Sequence, residues 1–182
     1  MKIADVDVPP PSPGEITMRN TAIGLNFIDI YHRSGVYPIP LPGGLGMEAA
    51  GVVEAVGDGV QGFAIGERVC TFGPQAGAYI EMRNISAKLL FKLPSGVSDE
   101  VAAAIMLKGC TVEALVERCA KVERGQHVLV HAAAGGVGLL LTQWLKHIGA
   151  TVIGTASTEE KLAEAKAAGA DHVILSGADD LV

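Results

Sequence analysis

Cysteine and basic residues are scarce in this 182-residue sequence. The three cysteines, Cys70, Cys110 and Cys119, stand in apolar segments without C-x-x-C spacing, as expected of reduced thiols that serve as small hydrophobic residues. Fourteen Lys and Arg residues against twenty Asp and Glu give a net charge of -6, and they form no basic cluster. A nucleic acid is therefore not expected as the main partner.

Long apolar runs are also missing. No uninterrupted apolar segment approaches the roughly 20 residues that span a bilayer. The N-terminus carries Asp5, Asp7 and then prolines instead of the apolar stretch of a signal peptide. The expected location is cytoplasmic, with no membrane partner. Hydrophobic residues still make up 49% of the chain, which is enough for a packed core.

The first half of the chain, up to about residue 95, consists of short β-type runs separated by turns such as GDGV and FGPQAG. This spacing predicts a small antiparallel barrel or sandwich. The predicted strands are EITMRN (15–20), AAGVVEAVG (49–57), ERVCTF (67–72), GAYIEMR (77–83) and LLFKL (89–93).

From Ser98 the pattern changes to helices and strands in alternation. A cap at Ser98 or Asp99 opens an alanine-rich segment that Gly109 interrupts, which predicts two helices meeting near residues 108–111. We therefore predict two domains, residues 1–108 and 109–182. The second continues in the order β-α-β-α-β, which indicates a parallel sheet with right-handed crossovers. Its segments are QHVLVHA, GGVGLLLTQWLKHIG, TVIGTA, STEEKLAEAKAAG and HVIL.

The stretch HAAAGGVGLLL (131–141) keeps side chains small between a predicted strand and a predicted helix. Ala133, Gly135 and Gly138 occupy the three slots of the dinucleotide fingerprint G-x-G-x-x-G, with an alanine at the first slot. The helix N-terminus that follows would offer its N–H groups to a pyrophosphate. We predict cofactor contacts from Ala134, Gly135, Gly136 and Val137. The alternative is that these small residues only permit tight packing of helix against strand.

The end of the next strand carries no carboxylate for the adenosine ribose of NAD. Ala156 and Ser157 stand there, and Lys161 follows. The Ser157 hydroxyl and the Lys161 ammonium would suit a 2′-phosphate, so NADPH is favoured over NADH. In the alternative interpretation, Ser157 only caps the following helix, as Thr158 also could, and Lys161 is an ordinary solvated lysine.

Five segments of the chain carry a family resemblance. They are AIGLNFIDIYHRSGVYP (22–38), GLGMEAAGVVEAVGDGV (44–60), GERVCTFGPQAGAY (66–79), LKGCTVEAL (107–115) and HAAAGGVGLLLTQWLKHIGATVIGTAS (131–157). In this order they resemble the zinc-independent quinone oxidoreductases, related to zeta-crystallin, of the medium-chain dehydrogenase/reductase superfamily. The resemblance implies a GroES-like antiparallel β catalytic domain followed by a partial Rossmann dinucleotide-binding domain.

The same comparison predicts that no metal is bound. Zinc-dependent members have a ligand histidine before a glutamate, where this chain has Met47 before Glu48, and a thioether is a poor zinc ligand. Asn26 stands at the cysteine position, and Leu107 aligns with the third ligand. Glu48 is expected to be structural, bonded to nearby backbone.

The resemblance also implies the site residues. Asn26, Tyr31 and Tyr37 would line the nicotinamide and substrate pocket as orienting hydrogen-bond donors, because carbonyl polarisation without zinc needs such donors. Cofactor contacts would come from the segment Phe27 to Tyr31 and from Thr111. On the residues alone, Tyr31 and Tyr37 would be ordinary half-buried aromatics.

The resulting hypothesis is an NADPH-dependent, zinc-free oxidoreductase that reduces quinones or activated enones by hydride transfer. The alternatives are a non-catalytic NADPH-binding or crystallin-like structural protein and an enoyl-thioester reductase of the same superfamily. Compared with the family pattern, the chain starts late and holds one βαβαβ half, so we expect part of a longer enzyme. A homo-oligomer, in the family a dimer, is also expected.

Overall fold

The structure, a computed structural model, describes residues 2–177. The chain divides into two units, the first ending at Leu107 and the second beginning at Lys108. Each unit has its own sheet and its own buried apolar cluster.

The first unit is organised by a five-stranded antiparallel sheet with the strand order β4-β1-β2-β3-β5. Inward-facing side chains of its strands fill the core, because successive residues of a strand point to opposite faces. In the β1–β2 pair, Gly24 lies opposite Glu48. The strands are β1 (Glu15–Gly24), β2 (Glu48–Val56), β3 (Arg68–Phe72), β4 (Met82–Ser86) and β5 (Leu90–Lys92). The fully buried core side chains include Ile16, Met18, Val53, Val69 and Ile85.

A short helix that the sequence did not predict, α1 (Phe27–Ser34), follows β1. Its first turn is fixed by Asp29, whose Oδ2 accepts the main-chain N–H of Asn26 at 2.9 Å. It ends at Gly35, which has φ 79°. At eight residues, this helix is too short for its apolar spacing to stand out between the predicted strands.

The predicted strand over residues 77–83 is wrong in its position, since β4 begins at Met82. The main-chain N–H groups of Gly77 and Ala78 donate to Gly46 O at 2.9 and 3.0 Å, and that of Tyr79 donates to Leu45 O at 2.8 Å. These bonds tie residues 77–79 to the segment before β2 instead of to a neighbouring strand.

The second unit contains a three-stranded parallel sheet with the order β6-β7-β8 and helices between its strands, as predicted. Its core is formed by Val130, Ala133, Leu145, Val152 and Ala165, all buried. The elements are β6 (His127–Val130), α3 (Gly136–Ile148), β7 (Thr151–Ala156), α4 (Glu159–Ala167) and β8 (His172–Leu175).

The two helices predicted to meet near residues 108–111 are one helix, α2 (Asp99–Glu113), which continues as a π-helical turn over Ala114–Cys119. Gly109 lies inside it. A single glycine costs a helix about 1 kcal/mol relative to alanine, which is less than the burial of its apolar neighbours contributes. Among the described helices, none has both the length and the apolar character needed to cross a membrane.

Candidate cofactor and substrate sites

The glycine-containing loop between β6 and α3 makes its tight turn at an alanine. Ala132 has φ 51°, and its carbonyl accepts the main-chain N–H of Gly135 at 2.8 Å. Ala133, at the first slot of the fingerprint, is not in the left-handed region. Its main-chain N–H donates to Thr155 O at 2.9 Å, and its methyl group is fully buried. An alanine is therefore compatible with this slot.

The third glycine of the fingerprint is required for close packing. A Cβ atom at Gly138 would lie 2.7 Å from Ala133 Cα and in collision with the carbonyl oxygen of Ala132. Such distances do not occur between real atoms, so only glycine lets α3 approach the loop this closely.

Packing does not account for the first two residues of the same turn. Gly135 and Gly136 are exposed. A Cβ at Gly135 would meet only Ala132 O, at 3.1 Å, and one at Gly136 only the flexible side chain of Lys108, at 3.0 Å. The absence of side chains here keeps the start of α3 open.

The N-terminus of α3 has the properties of a phosphate site. Leu139 donates its main-chain N–H to Gly135 O at 2.8 Å, so the N–H groups of residues 136–138 precede the helical bonding pattern. The partial positive charge of the helix dipole lies at the same end. A pyrophosphate fits this donor set, since exposed helix N-termini of this kind bind phosphate.

After the carboxyl end of β7, the residue that caps α4 is different from the residue predicted to bind the 2′-phosphate. Thr158 is the N-cap of α4, and its Oγ1 accepts the main-chain N–H of Lys161 at 3.3 Å. Ser157 is exposed and does not cap the helix, so the interpretation of Ser157 as a cap is wrong. The Lys161 side chain, four positions further along the chain, is also exposed. Carboxylates follow only in the first turn of α4, at residues 159 and 160.

His131 and Thr111 are two further polar residues of the second unit. His131 lies at the end of β6, and its Nδ1 is 3.1 Å from Thr155 Oγ1 on β7, which joins the two strand ends next to the glycine loop. Thr111, predicted to contact the cofactor, lies exposed on α2.

In the first unit, Asn26 is bonded to a buried carboxylate. Its Nδ2 donates to Glu48 Oε2 at 2.8 Å, and the main-chain N–H of Leu107 donates to Glu48 Oε1 at 2.8 Å. Glu48 is fully buried and Asn26 is 7% exposed. Gly24 leaves room for this carboxylate, because a Cβ there would lie 2.5 Å from Oε2. The expected backbone bond of Glu48 is present.

A second buried carboxylate holds the same asparagine from the other side. Asp29 Oδ2 accepts the Asn26 main-chain N–H at 2.9 Å and the Tyr79 hydroxyl at 2.7 Å. Burial, with this bond to Asp29 as the second cause, raises the pKa of Tyr79 well above its ordinary value near 10. The sequence analysis missed Tyr79, since no local pattern connects it to a residue 50 positions away.

Three aromatic residues lie together on α1 and the loop after it: Tyr31 and Tyr37, predicted for the substrate pocket, and Phe27, predicted to contact the cofactor. The ring centroids of Phe27 and Tyr31 are 6.1 Å apart, and those of Tyr31 and Tyr37 are 5.3 Å apart in an edge-to-face arrangement. Their exposed fractions are 74%, 38% and 51%. The three rings lie side by side and form one partly exposed aromatic surface.

Metal ligands do not converge in the described part of the chain, where no three His, Cys, Asp or Glu side chains form a group that could hold an ion. Glu48 accepts hydrogen bonds from the Asn26 amide and the Leu107 main chain, and Met47 is its buried predecessor.

Two dehydrogenase domain models match parts of the chain. Residues 12–95 match the alcohol dehydrogenase GroES-like domain, and residues 136–182 match the zinc-binding dehydrogenase domain. The quinone oxidoreductase of Pseudomonas aeruginosa is 49% identical over 165 residues, which cover 90% of this chain and 51% of that protein. The chain is thus similar to quinone oxidoreductases and has the two dehydrogenase domains. Its predicted architecture, a GroES-like domain followed by a partial Rossmann domain, is confirmed.

Other similar proteins match over the same extent. The 2-haloacrylate reductase of a Burkholderia species is 50% identical over 177 residues, covering 93% of this chain and 53% of that protein. The crystal structure of Escherichia coli quinone oxidoreductase complexed with NADPH aligns with a TM-score of 0.95 and 46% identity, covering 98% of this chain and 55% of that one. The chain spans about half the length of the curated relatives it matches.

Proposed function

We propose that this chain binds NADPH and belongs to a zinc-independent oxidoreductase that reduces quinones or activated enones. The observation that carries the proposal is the open start of α3, where Gly138 packs against the loop while Gly135 and Gly136 leave the helix N-terminus accessible. The NADPH complex of the E. coli relative supports the choice of cofactor. When bound, the cofactor supplies a hydride, and the protein provides binding and orientation.

The preference for NADPH over NADH is assigned to Ser157 and Lys161. Both side chains are exposed, and Ser157 is not used as the helix cap. A hydroxyl and an ammonium group favour a 2′-phosphate through charge-assisted hydrogen bonds. Glu159 and Glu160, in the first turn of α4, would repel the 2′-phosphate of NADPH. A measured preference for NADPH would therefore mean that Ser157 and Lys161 outweigh this repulsion.

Isothermal calorimetry with NADPH and NADH tests this part of the proposal. We expect Ser157→Ala and Lys161→Gln each to weaken NADPH binding about ten-fold and to leave NADH binding unchanged, as loss of one charge-assisted bond predicts. Lys166→Gln removes another exposed lysine of α4 and serves as the matched control. Equal binding of both cofactors to the unaltered chain would contradict the assignment.

We propose that catalysis needs no zinc. Asn26, Met47 and Leu107 occupy the positions at which zinc-dependent members carry ligands, and an amide, a thioether and a leucine side chain do not make a zinc site. Carbonyl polarisation then depends on hydrogen-bond donors such as the phenols of Tyr31 and Tyr37. Asn26 is proposed as a further orienting donor of this set. Activity should survive dialysis against a chelator, and loss of activity that zinc restores would refute this point.

The acceptor is proposed to be flat and electron-poor. The exposed rings of Phe27, Tyr31 and Tyr37 suit stacking on such a molecule. Relatives at similar identity are named for quinones and for 2-haloacrylate, which is why both a quinone and an activated enone are included. We propose that the enzyme is cytoplasmic and a homodimer, and sedimentation analysis would test the dimer.

Stopped-flow measurement of NADPH oxidation with a quinone, a 2-haloacrylate and an enoyl thioester separates the candidate functions. Acceptor-dependent oxidation with the quinone supports the proposal. Turnover only with the enoyl thioester would identify an enoyl reductase instead. NADPH binding without turnover across all three acceptors would favour a non-catalytic NADPH-binding protein.

A further inference from the structure

The Tyr79 hydroxyl, which the sequence did not predict as part of the site, forms a hydrogen bond to Asp29 next to Asn26. Tyr79 lies in the loop before β4, and its hydroxyl donates to Asp29 Oδ2 at 2.7 Å. The same oxygen accepts the main-chain N–H of Asn26 at 2.9 Å. In the described part of the chain, Asp29 Oδ1 is buried and has no hydrogen-bond partner. The carboxylate is therefore held only through Oδ2, by Tyr79 and Asn26.

The hydrogen bonds continue from Asn26 to a second carboxylate. Asn26 Nδ2 donates to Glu48 Oε2 at 2.8 Å, and Glu48 Oε1 accepts the Leu107 main-chain N–H at the same distance. Both Asn26 and Glu48 are buried. In a buried network with charged acceptors, each bond restricts the orientation of the next group.

The Tyr79 ring packs against the main chain that precedes β2. Gly46 has φ 95°, and a Cβ there would lie 2.8 Å from Tyr79 Cε1. The Tyr79 main-chain N–H is bonded to Leu45 O at 2.8 Å. Ring and backbone are thus both fixed, so the hydroxyl reaches Asp29 from a defined position.

We propose that Tyr79 is a positioning residue that holds Asn26 in place through Asp29. This inference rests on the proposed function, in which Asn26 lines the nicotinamide and substrate pocket. The hydroxyl acts on Asn26 without being assigned any contact with cofactor or acceptor. Its removal leaves Asp29 with a single donor, and the Asn26 amide then leaves its bond to Glu48 more often.

The test uses NMR of the full 182-residue chain labelled with nitrogen-15. The side-chain NH2 signal of Asn26 is assigned by its disappearance in Asn26→Asp. In Tyr79→Phe, which keeps the ring and removes the hydroxyl, we expect hydrogen exchange of this NH2 group to become about ten-fold faster, as loss of a bond to a charged group predicts. The main-chain amides of β2 should keep their protection.

Thr17→Val is the matched control, because it removes another hydroxyl of the first unit, one that donates to Asn84 Oδ1 at 2.7 Å. A general loss of stability would accelerate Asn26 exchange equally in both variants, and that result would overturn the proposal. Unchanged exchange in Tyr79→Phe would overturn it as well. If Tyr79→Phe does not fold, Asp29→Asn, which keeps an acceptor oxygen but removes its charge, should still accelerate the exchange, and no acceleration there would be decisive against it.

Kinetics provide the second readout. With a quinone acceptor, Tyr79→Phe should lower kcat about ten-fold and leave the KM for NADPH unchanged, whereas Thr17→Val should change neither. Equal losses in both variants would contradict a positioning role. If the unaltered chain shows no turnover, the proposed function fails for this chain, and the NMR experiment still decides the role of Tyr79.

Discussion

At the level of single residues, interatomic distances decide which small residues of the glycine loop are required. Ala133 weakens the bare fingerprint, yet the residue with positive φ is its neighbour Ala132, and the buried Ala133 methyl fits the core. Gly138 has no such freedom, since any Cβ would collide with the loop. Ala133 at the first slot of the fingerprint is therefore compatible with nucleotide binding.

Gly138→Ala should destabilise the second unit by about 1–3 kcal/mol through overpacking. Gly109→Ala is the matched control, because Gly109 lies inside α2 with nothing within 4 Å of an added Cβ. It should raise stability by up to about 1 kcal/mol through its higher helix propensity. Urea denaturation followed by circular dichroism measures both changes. Equal effects of the two substitutions would contradict the close approach at Gly138.

The phenol of Tyr79 should ionise late. Burial and the bond to Asp29 raise its pKa in the folded protein above the value near 10 of the unfolded chain. This contribution to stability is complete below pH 10 and is lost as the pH rises above it. Absorbance titration near 295 nm should reveal a step above pH 10 that is absent in Tyr79→Phe. A step below pH 10 assigned to Tyr79 would contradict the bond to Asp29.

At the level of secondary-structure elements, the junction between β7 and α4 shows which of two neighbouring residues caps the helix. Thr158 accepts a main-chain N–H of the first helical turn, and the neighbouring Ser157 does not. Sequence alone left the cap open between the two, because serine and threonine are both favoured N-caps. Only the main-chain path at the end of β7 distinguishes them.

Thr158→Ala should therefore lower stability by about 1 kcal/mol, as loss of an N-cap usually does. Ser157→Ala should change stability by less than about 0.5 kcal/mol and instead weaken NADPH binding. Thermal denaturation and calorimetry on the same two variants provide the comparison. A larger loss of stability in Ser157→Ala would mean that Ser157 is the functional cap.

Periodicity predicted most elements, and long-range contacts explain the two main misses. The strands and helices of the second unit follow from apolar runs and turn residues in the chain. The strand predicted over residues 77–83 is displaced because residues 77–79 bond to Gly46 and Leu45. The break predicted at Gly109 is absent because burial on both sides of it outweighs its low helix propensity.

At the level of the whole molecule, each unit carries a paired carboxylate with a lowered pKa. In the first unit, the Thr21 hydroxyl and the Arg68 guanidinium lower the pKa of Asp99. In the second unit, the Lys146 ammonium and the Val152 main-chain N–H lower that of Asp171. Both carboxylates therefore favour the folded state in their ionised form.

Stability from these pairs is present above the ordinary carboxyl pKa of about 3.8 and is lost as the pH falls through the lowered values. Asp171→Asn should lower Tm at pH 7 and make Tm less dependent on pH below about 4. Asp58→Asn is the control, because it removes a carboxylate at an exposed turn and leaves the Lys146–Asp171 pair intact. Differential scanning calorimetry between pH 7 and pH 3 measures the effect, and parallel curves for all three proteins would refute it.

The sequence by itself determined the parts of this protein that depend on local order. The βαβαβ succession, the glycine loop before α3 and the missing carboxylate after β7 are properties of neighbouring residues, because turns, caps and amphipathic runs form within a few positions. The aromatic residues of α1 were named from the family resemblance.

Only the tertiary structure decided which distant residues act together. Asp29 links Asn26 to Tyr79 across the first unit, and Glu48 links Asn26 to Leu107. Buried carboxylates must find donors wherever the fold brings them. Asn26 and Asp29 form a local capping box, but the donors Tyr79 and Leu107 come from a loop and a helix that no local pattern connects to it.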